Sequence, residues 1–325
     1  MAANSALTQN THSTYKTAEK MWEVCAQETE VTGHFPVTAN EVLIYTAWLL
    51  KRGLCAATIN SYLAGMRTAH LTRGLVPPTF RTDIVNTVLR GQSHIDSVER
   101  RLGTRKSRLP ITPAVLRLLK AELSNSDLMN ADKLLLWSCC TLLFFGGFRC
   151  HELLSYYITK FDPAFTLLYE DITENTVRIN GSQIRTLQIL LKSEKTDTKG
   201  ESTIVDIYES SNDICPISAY RSYRKVAVNE PGKPAFRLAD GKPLTGRKLN
   251  EYIRRFIGKH LNTDTRFVSS HSFRSGLASM LGSLGFSEDQ IKDTGRWSSE
   301  AYQRYLKLPR TRRFAMAKQL CNLQF

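Results

Sequence analysis

The stretch Ser269-Ser270-His271-Ser272-Phe273-Arg274-Ser275-Gly276-Leu277 reads as the opening of a helix, and the rest of the chain can be read outward from it. Phe273, Leu277, Met280, Leu281 and Leu284 recur at helical spacing and predict its core face. His271 and Arg274 are three residues apart, so both side chains can converge on one ligand near the helix N-terminus. Backbone N–H groups there lack intrahelical partners and favour an anion such as a phosphate. Taken alone, His-x-x-Arg is equally a capped helix start with incidental basic residues.

Three other segments add to it. Gly146-Gly147-Phe148-Arg149-Cys150-His151-Glu152 follows the apolar run Leu134–Phe148 and places an arginine three residues before a carboxylate that could hold it. On its own this is an ordinary helix-surface ion pair. Leu191–Gly200 carries Lys192, Lys195 and Lys199 between two expected strands, where a hairpin lysine is either solvated or able to deliver a proton. Gly295-Arg296-Trp297-Ser298 leads into a short helix that Ser298 could cap, carrying Tyr302 and Tyr305 on adjoining faces. A tyrosine in such a helix is most often packing.

Charge narrows the partner. The 325 residues hold 44 Lys and Arg against 30 Asp and Glu, a net +14, which fits a polyanion such as nucleic acid. Residues 1–100 hold 9 basic and 8 acidic side chains, so 35 and 22 fall in residues 101–325, where most of the attraction should lie. Five of the cations, Arg100, Arg101, Arg105, Lys106 and Arg108, fall within nine residues around Gly103. They read as a solvated linker or, as favoured here, a strap along phosphates. The seven cysteines show no C-x-x-C pair and no metal-ligand spacing, so reduced thiols, no metal and no cofactor are expected. Met1–Lys20 lacks an apolar leader and no run is long enough for a membrane span, so an intracellular protein is expected.

Two domains follow from length and pattern. A tail over 1–14 precedes a helical region over 15–99. There Thr38-Ala39-Asn40-Glu41 is a capping box, Ile59, Leu63, Met66 and His70 mark a second helix, and a third lies near Thr82–Gly91. Arg67 and Arg73 on the second helix could meet such a polyanion. A linker over 100–111 leads to a second domain over 112–325, opened by Thr112-Pro113 as cap and first helical residue. Strands are expected at Thr166–Tyr169, Thr176–Ile179, Thr186–Leu191 and Thr203–Ile207, with Asn180-Gly181 as a hairpin turn. The fold class is mainly α with a small antiparallel sheet.

In order, Arg149, a hairpin lysine, His271-x-x-Arg274, Trp297 and a C-terminal tyrosine resemble the catalytic set of the tyrosine recombinases, the lambda-integrase family that includes Xer proteins and phage Cre. Trp48–Leu54 with Thr58–Leu63 resembles the helical (SAM-like) core-binding domain of Cre, and Ser193–Asp197 with Gly295–Ser299 resembles DIRS, Ngaro and Crypton mobile-element recombinases. The resemblance implies a mixed α/β catalytic domain that cuts and rejoins double-stranded DNA through a 3′-phosphotyrosyl link. Tyr305 would be the nucleophile, Arg149 and Arg274 the clamps on phosphate oxygens, His271 a base or donor, Trp297 a packing donor and Lys195 the general acid. Glu152 would orient the arginines. It also implies a homo-oligomer on DNA, dimeric per site and tetrameric in synapsis, and a nuclear location in a eukaryote; a terminal helix after Tyr305 would dock on a neighbour, as is common in the family, or pack on its own domain. Tyr302 competes with Tyr305, because the family tyrosine stands nine residues after the Trp or His whereas Tyr305 is eight after Trp297. Lys192 and Lys199 compete with Lys195. A catalytically silent DNA-binding protein of this fold and a type IB topoisomerase-like activity stay open as alternatives.

Overall fold

The structure, a computed structural model, describes residues 9–102, 109–159, 161–192, 202–260, 264–297 and 299–305; the side chains of residues 9, 10, 100, 101, 301, 304 and 305 lie outside that description. The chain divides into two units, Met1–Ser107 and Arg108–Phe325.

The first unit is built from α1 (Gln9–Glu28), α2 (Ala39–Lys51), α3 (Ala56–Thr72) and α4 (Asp83–Leu102). The expected tail over 1–14 is therefore too long, since α1 already runs from Gln9. Its continuation is held by the core: Ala18, Trp22 and Cys25 are buried, and the Tyr45 hydroxyl donates to the Ala18 carbonyl at 2.8 Å. At α2 the capping box is complete, with the Thr38 hydroxyl accepting from Glu41 N–H and the Glu41 carboxylate accepting from Thr38 N–H. Trp22, Tyr45, Leu49, Ile59, Leu63, Met66, Val85 and Leu89 fill the centre. Each such side chain, fully buried, contributes about 1.5–3 kcal/mol. Asp96 on α4 is buried and accepts from the Ala56 N–H, which stabilises the α3 N-terminus from a neighbouring helix. That contact explains why α4 runs past Gly91 to Leu102 and absorbs positions 100–102 of the expected linker.

The second unit begins with α5 (Pro113–Ser124), capped by the Thr112 hydroxyl with Pro at the first turn. The helix α6 (Asn130–Phe145) is apolar on nearly every face and forms the centre of the core. After the short α7 (Cys150–Leu153) come β1 (Ile172–Ile179), β2 (Ser182–Leu191) and β3 (Thr203–Tyr208), an antiparallel sheet in the order β1-β2-β3. Asn180 and Gly181 both have positive φ, the geometry of a two-residue hairpin turn, and set Ile179 opposite Ser182. The expected strand at Thr166–Tyr169 is not one. The Asp171 carboxylate takes the Leu168 N–H at 2.7 Å and bends the chain into a 3-10 turn over Tyr169–Asp171, leaving one isolated bridge from Leu168 to Pro234. The helices α8 (Pro216–Arg224), α9 (Gly246–Ile257), α10 (His271–Leu284) and α11 (Glu288–Gly295) follow, then a 3-10 turn over Glu300–Tyr305. On α10 the core face is Phe273, Leu277 and Leu281; Met280 is half-buried and Leu284 is exposed, because the helix ends at the left-handed Gly285. Among the described residues no helix is long and apolar enough to cross a membrane, and no cluster of His, Cys, Asp or Glu could hold a metal ion.

Candidate active site

Two loops that are far apart in sequence meet because their glycines allow it. Gly147 has φ +53, and a Cβ built on it would lie 3.4 Å from the Gly295 Cα and 2.9 Å from Leu277. A Cβ on Gly295 would collide with the Trp297 ring. The loop before α7 is thus seated directly on the end of α11 and the middle of α10.

Glu152 is the centre of this junction. Its side chain has 0 % exposure, and its two oxygens are shared among three donors. Oε1 accepts from Arg149 Nη1 at 2.7 Å, and Oε2 accepts from the Arg149 N–H at 2.9 Å and from Arg296 Nη2 at 2.7 Å. Burial pushes the Glu152 pKa up, but the Arg296 and Arg149 guanidiniums and the Arg149 hydrogen bonds outweigh it and hold the carboxyl below the usual range. The family resemblance implies that Glu152 orients Arg149 and Arg274. In the structure its second partner is Arg296.

Arg296 adopts a left-handed backbone, φ +51 and ψ 51, as the C-cap of α11. For a residue other than glycine this conformation is strained, and tertiary contacts hold it there. Its guanidinium also donates to the Gly146 carbonyl at 2.8 Å and lies 4.8 Å from the Phe148 ring centroid. Its carbonyl accepts from Arg274 Nη2 at 3.1 Å, while Arg274 Nη1 donates to the Gly147 carbonyl. Arg274 is 2 % exposed, with its guanidinium carbon 4.6 Å from the Trp297 ring centroid. Arg149, Glu152, Arg274, Arg296 and Trp297 are therefore linked through direct contacts. Part of the Arg149 side chain remains at the surface, and His271, the first residue of α10, is half-buried one turn before Arg274. Cys150 ties the two helix starts together: it hydrogen-bonds Ser270, and burial pushes its thiol up to about 11.

The other expected residues are placed as follows. Tyr302 is fully buried among Leu277, Ala278, Leu281 and Ile291, its hydroxyl donating to Glu288 at 2.7 Å and its ring 5.9 Å from that of Trp297. Burial and then the Glu288 carboxylate raise its pKa. Tyr305 ends the 3-10 turn, and its side chain lies outside the described residues, as do Lys195 and Lys199. The Lys192 ammonium is engaged with Asp171 at 2.7 Å and the Pro163 carbonyl at 3.1 Å. Arg67 is exposed on α3; Arg73 pairs with Glu19 at 2.6 Å and stacks 4.3 Å over Phe35. Arg100 and Arg101 fall in the last turn of α4, whereas Arg105, Lys106, Arg108 and the expected terminal helix lie outside the described residues.

Arg296 is the member of the site that the motifs do not single out. A signal for it lies in the spacing: counting nine residues back from Tyr305 reaches Arg296, not Trp297.

No protein-family model matches the chain, and no curated protein matches it by sequence. Solved structures do. The Tn1549 transposon integrase in complex with transposon right-end DNA superposes with a TM-score of 0.58 at 15 % identity, over 97 % of this chain and 95 % of that one. The XerH site-specific recombinase bound to a palindromic difH substrate gives 0.56 at 14 % identity, over 91 % and 75 %. A lambda integrase dimer bound to a COC′ core site gives 0.56 at 14 % identity, over 93 % and 72 %. The chain has the tyrosine-recombinase fold. Within that fold, Arg149 lies at the loop before α7, His271 and Arg274 on the first turn of α10, and Tyr305 just after α11.

Proposed function

We propose that this chain is a site-specific DNA recombinase that cuts and rejoins double-stranded DNA through Tyr305. The observation that carries the reading is the buried Glu152, which fixes Arg149 and Arg296 together while the Arg296 carbonyl receives Arg274. Two guanidiniums on one buried carboxylate, with a third held on the carbonyl of one of them, have no evident use in a merely structural core, where apolar residues of the same volume are at least as stabilising. Poised beside the N-terminus of α10, they suit a phosphodiester whose charge grows in the transition state.

In the first step the Tyr305 hydroxyl gives up its proton to His271, and its oxygen attacks the scissile phosphorus. The bond from phosphorus to the 5′-oxygen breaks, and that oxygen takes a proton from Lys195. The product is a 3′-phosphotyrosyl link and a 5′-hydroxyl, so the bond energy is retained and a second 5′-hydroxyl can reverse the step. Arg149, the more accessible arginine, meets the phosphate first. Arg274 reaches it once the Gly147 and Arg296 carbonyls yield its N–H groups, while Trp297 packs against its guanidinium. Arg296 and Glu152 act as positioning residues. Arg67 and the cations of 100–108 supply the sequence-independent contact with the DNA backbone, and the protein acts as a homo-oligomer on its site.

A nicked duplex drawn from the DNA flanking the gene tests this. Wild type should accumulate covalent protein–DNA adduct, Tyr305→Phe should form none, and Tyr302→Phe should still form it. Loss of adduct in a folded Tyr302→Phe protein, with adduct retained in Tyr305→Phe, would contradict the assignment. Binding without adduct in wild type would point to a silent DNA-binding protein. Supercoil relaxation without exchange between two sites would point to a topoisomerase.

A further inference from the structure

The helix α4 has two apolar faces, and the core of the first unit uses only one. Val85 and Leu89 are buried on the inner face, with Asp96. On the outer face Ile84, Val88, Gly91, Ile95, Val98 and Leu102 follow one another at steps of four and three, the spacing of a coiled-coil seam. Ile84 is 59 % exposed, Ile95 51 % and Leu102 73 %. Solvent is an unfavourable environment for a continuous stripe of this kind.

The spacing of the stripe is symmetric about residue 93, so in an antiparallel copy of the same helix Ile84 meets Leu102, Val88 meets Val98 and Gly91 meets Ile95. A parallel copy would instead set Gly91 against Gly91 and leave a gap in the seam. Gly91 supports this independently. A glycine inside a helix is destabilising, and a Cβ built on Gly91 meets nothing within 4 Å, so packing within the unit does not require it. In an antiparallel pair it is the notch into which Ile95 of the second copy fits. The ends agree as well. Asp83 opens the helix and Arg100-Arg101 close it, so each acid falls beside the basic end of the other copy, with the helix dipoles opposed.

We infer that two copies of this chain associate through α4 as a two-fold, antiparallel helix pair that needs no DNA. The inference does not depend on the catalytic reading. Sedimentation velocity of the full chain without DNA, across the micromolar range, tests it with Ile95→Glu and Gly91→Glu. Wild type should show a concentration-dependent monomer–dimer equilibrium, and each variant should weaken it about tenfold or more. Gly91→Glu should do so while keeping or raising the melting temperature, since it removes a helix glycine at an open position; this separates lost association from lost folding. Monomeric wild type throughout the range would overturn the inference. So would a dimer that both variants retain, or an Ile95→Glu protein that melts earlier when wild type is already monomeric, since the stripe would then be covered by its own chain.

Discussion

The pattern His-x-x-Arg occurs twice in this molecule, and the two copies have opposite fates. In the first unit His70-Leu71-Thr72-Arg73 closes α3. His70 is fully buried, its Nε2 accepting from Val37 N–H at 2.9 Å and its Nδ1 donating to the Met66 carbonyl at 2.8 Å, while Arg73 lies outside on Glu19. In the second unit His271-Ser272-Phe273-Arg274 opens α10, and the arrangement is inverted: the arginine is buried and the histidine lies nearer the surface. Helix polarity accounts for much of the difference. A C-terminus favours cations as its own complement, whereas an N-terminus presents unbonded N–H groups that, with arginines, make an anion site. In the proposed mechanism the motif carries chemistry only at the end of a helix that needs a negative partner.

Substitutions can break this contrast. The largest effect should come from the arginines. Arg274→Ala should cut covalent adduct formation by about a hundredfold or more and destabilise the chain by about 3 kcal/mol, as two carbonyls lose their donor. Arg274→Lys should not restore activity, since an ammonium cannot span both carbonyls and a phosphate. Arg73→Ala should cost under about 1 kcal/mol, the scale of an exposed ion pair, and leave adduct chemistry intact. Equal losses by urea unfolding for the two alanine variants would erase the distinction. The histidines should behave the other way round. His70→Ala strands the buried Val37 N–H and empties a fully buried site, and should cost about 3 kcal/mol, whereas His271→Ala should cost under about 1 kcal/mol but slow trapping about a hundredfold.

Acid should act on the second unit through Glu152. Its folded pKa is depressed, so its contribution is complete above the unfolded value of about 4.3 and is lost as pH falls through the lower folded value. Glu152→Gln should therefore be about 3 kcal/mol less stable than wild type at pH 7, with the gap closing in acid. A gap unchanged between neutral and acidic urea titrations would show that the carboxylate charge is not what holds Arg149 and Arg296. The smallest effect belongs to Tyr302→Phe, which removes one hydrogen bond to Glu288 and should cost about 1 kcal/mol in the same titration.

Features set by neighbouring residues are legible in the amino-acid sequence itself. The Thr38–Glu41 capping box, the Thr112-Pro113 helix start and the Asn180-Gly181 turn each rest on contacts within a few residues. What the sequence hides depends on partners outside the local pattern. Asp171 turns the chain where alternation predicts a strand at Thr166–Tyr169, and α4 outruns its predicted end because Asp96 caps α3, 40 residues away. Apart from its nine-residue spacing to Tyr305, nothing in the sequence marks Arg296, because its strained backbone and its bond to Glu152, across 144 residues, exist only once the glycines of two loops are in contact. The order of Arg149, His271, Arg274 and Trp297 is enough to suggest a shared site, and the contacts around Glu152 link Arg149, Arg274 and Trp297.

The most direct test is to digest the trapped protein–DNA adduct and identify by mass spectrometry the peptide that carries the nucleotide remnant. A remnant on Tyr305 is the expected result. A remnant on Tyr302, whose hydroxyl is buried against Glu288, or on any other side chain, would contradict the proposed chemistry.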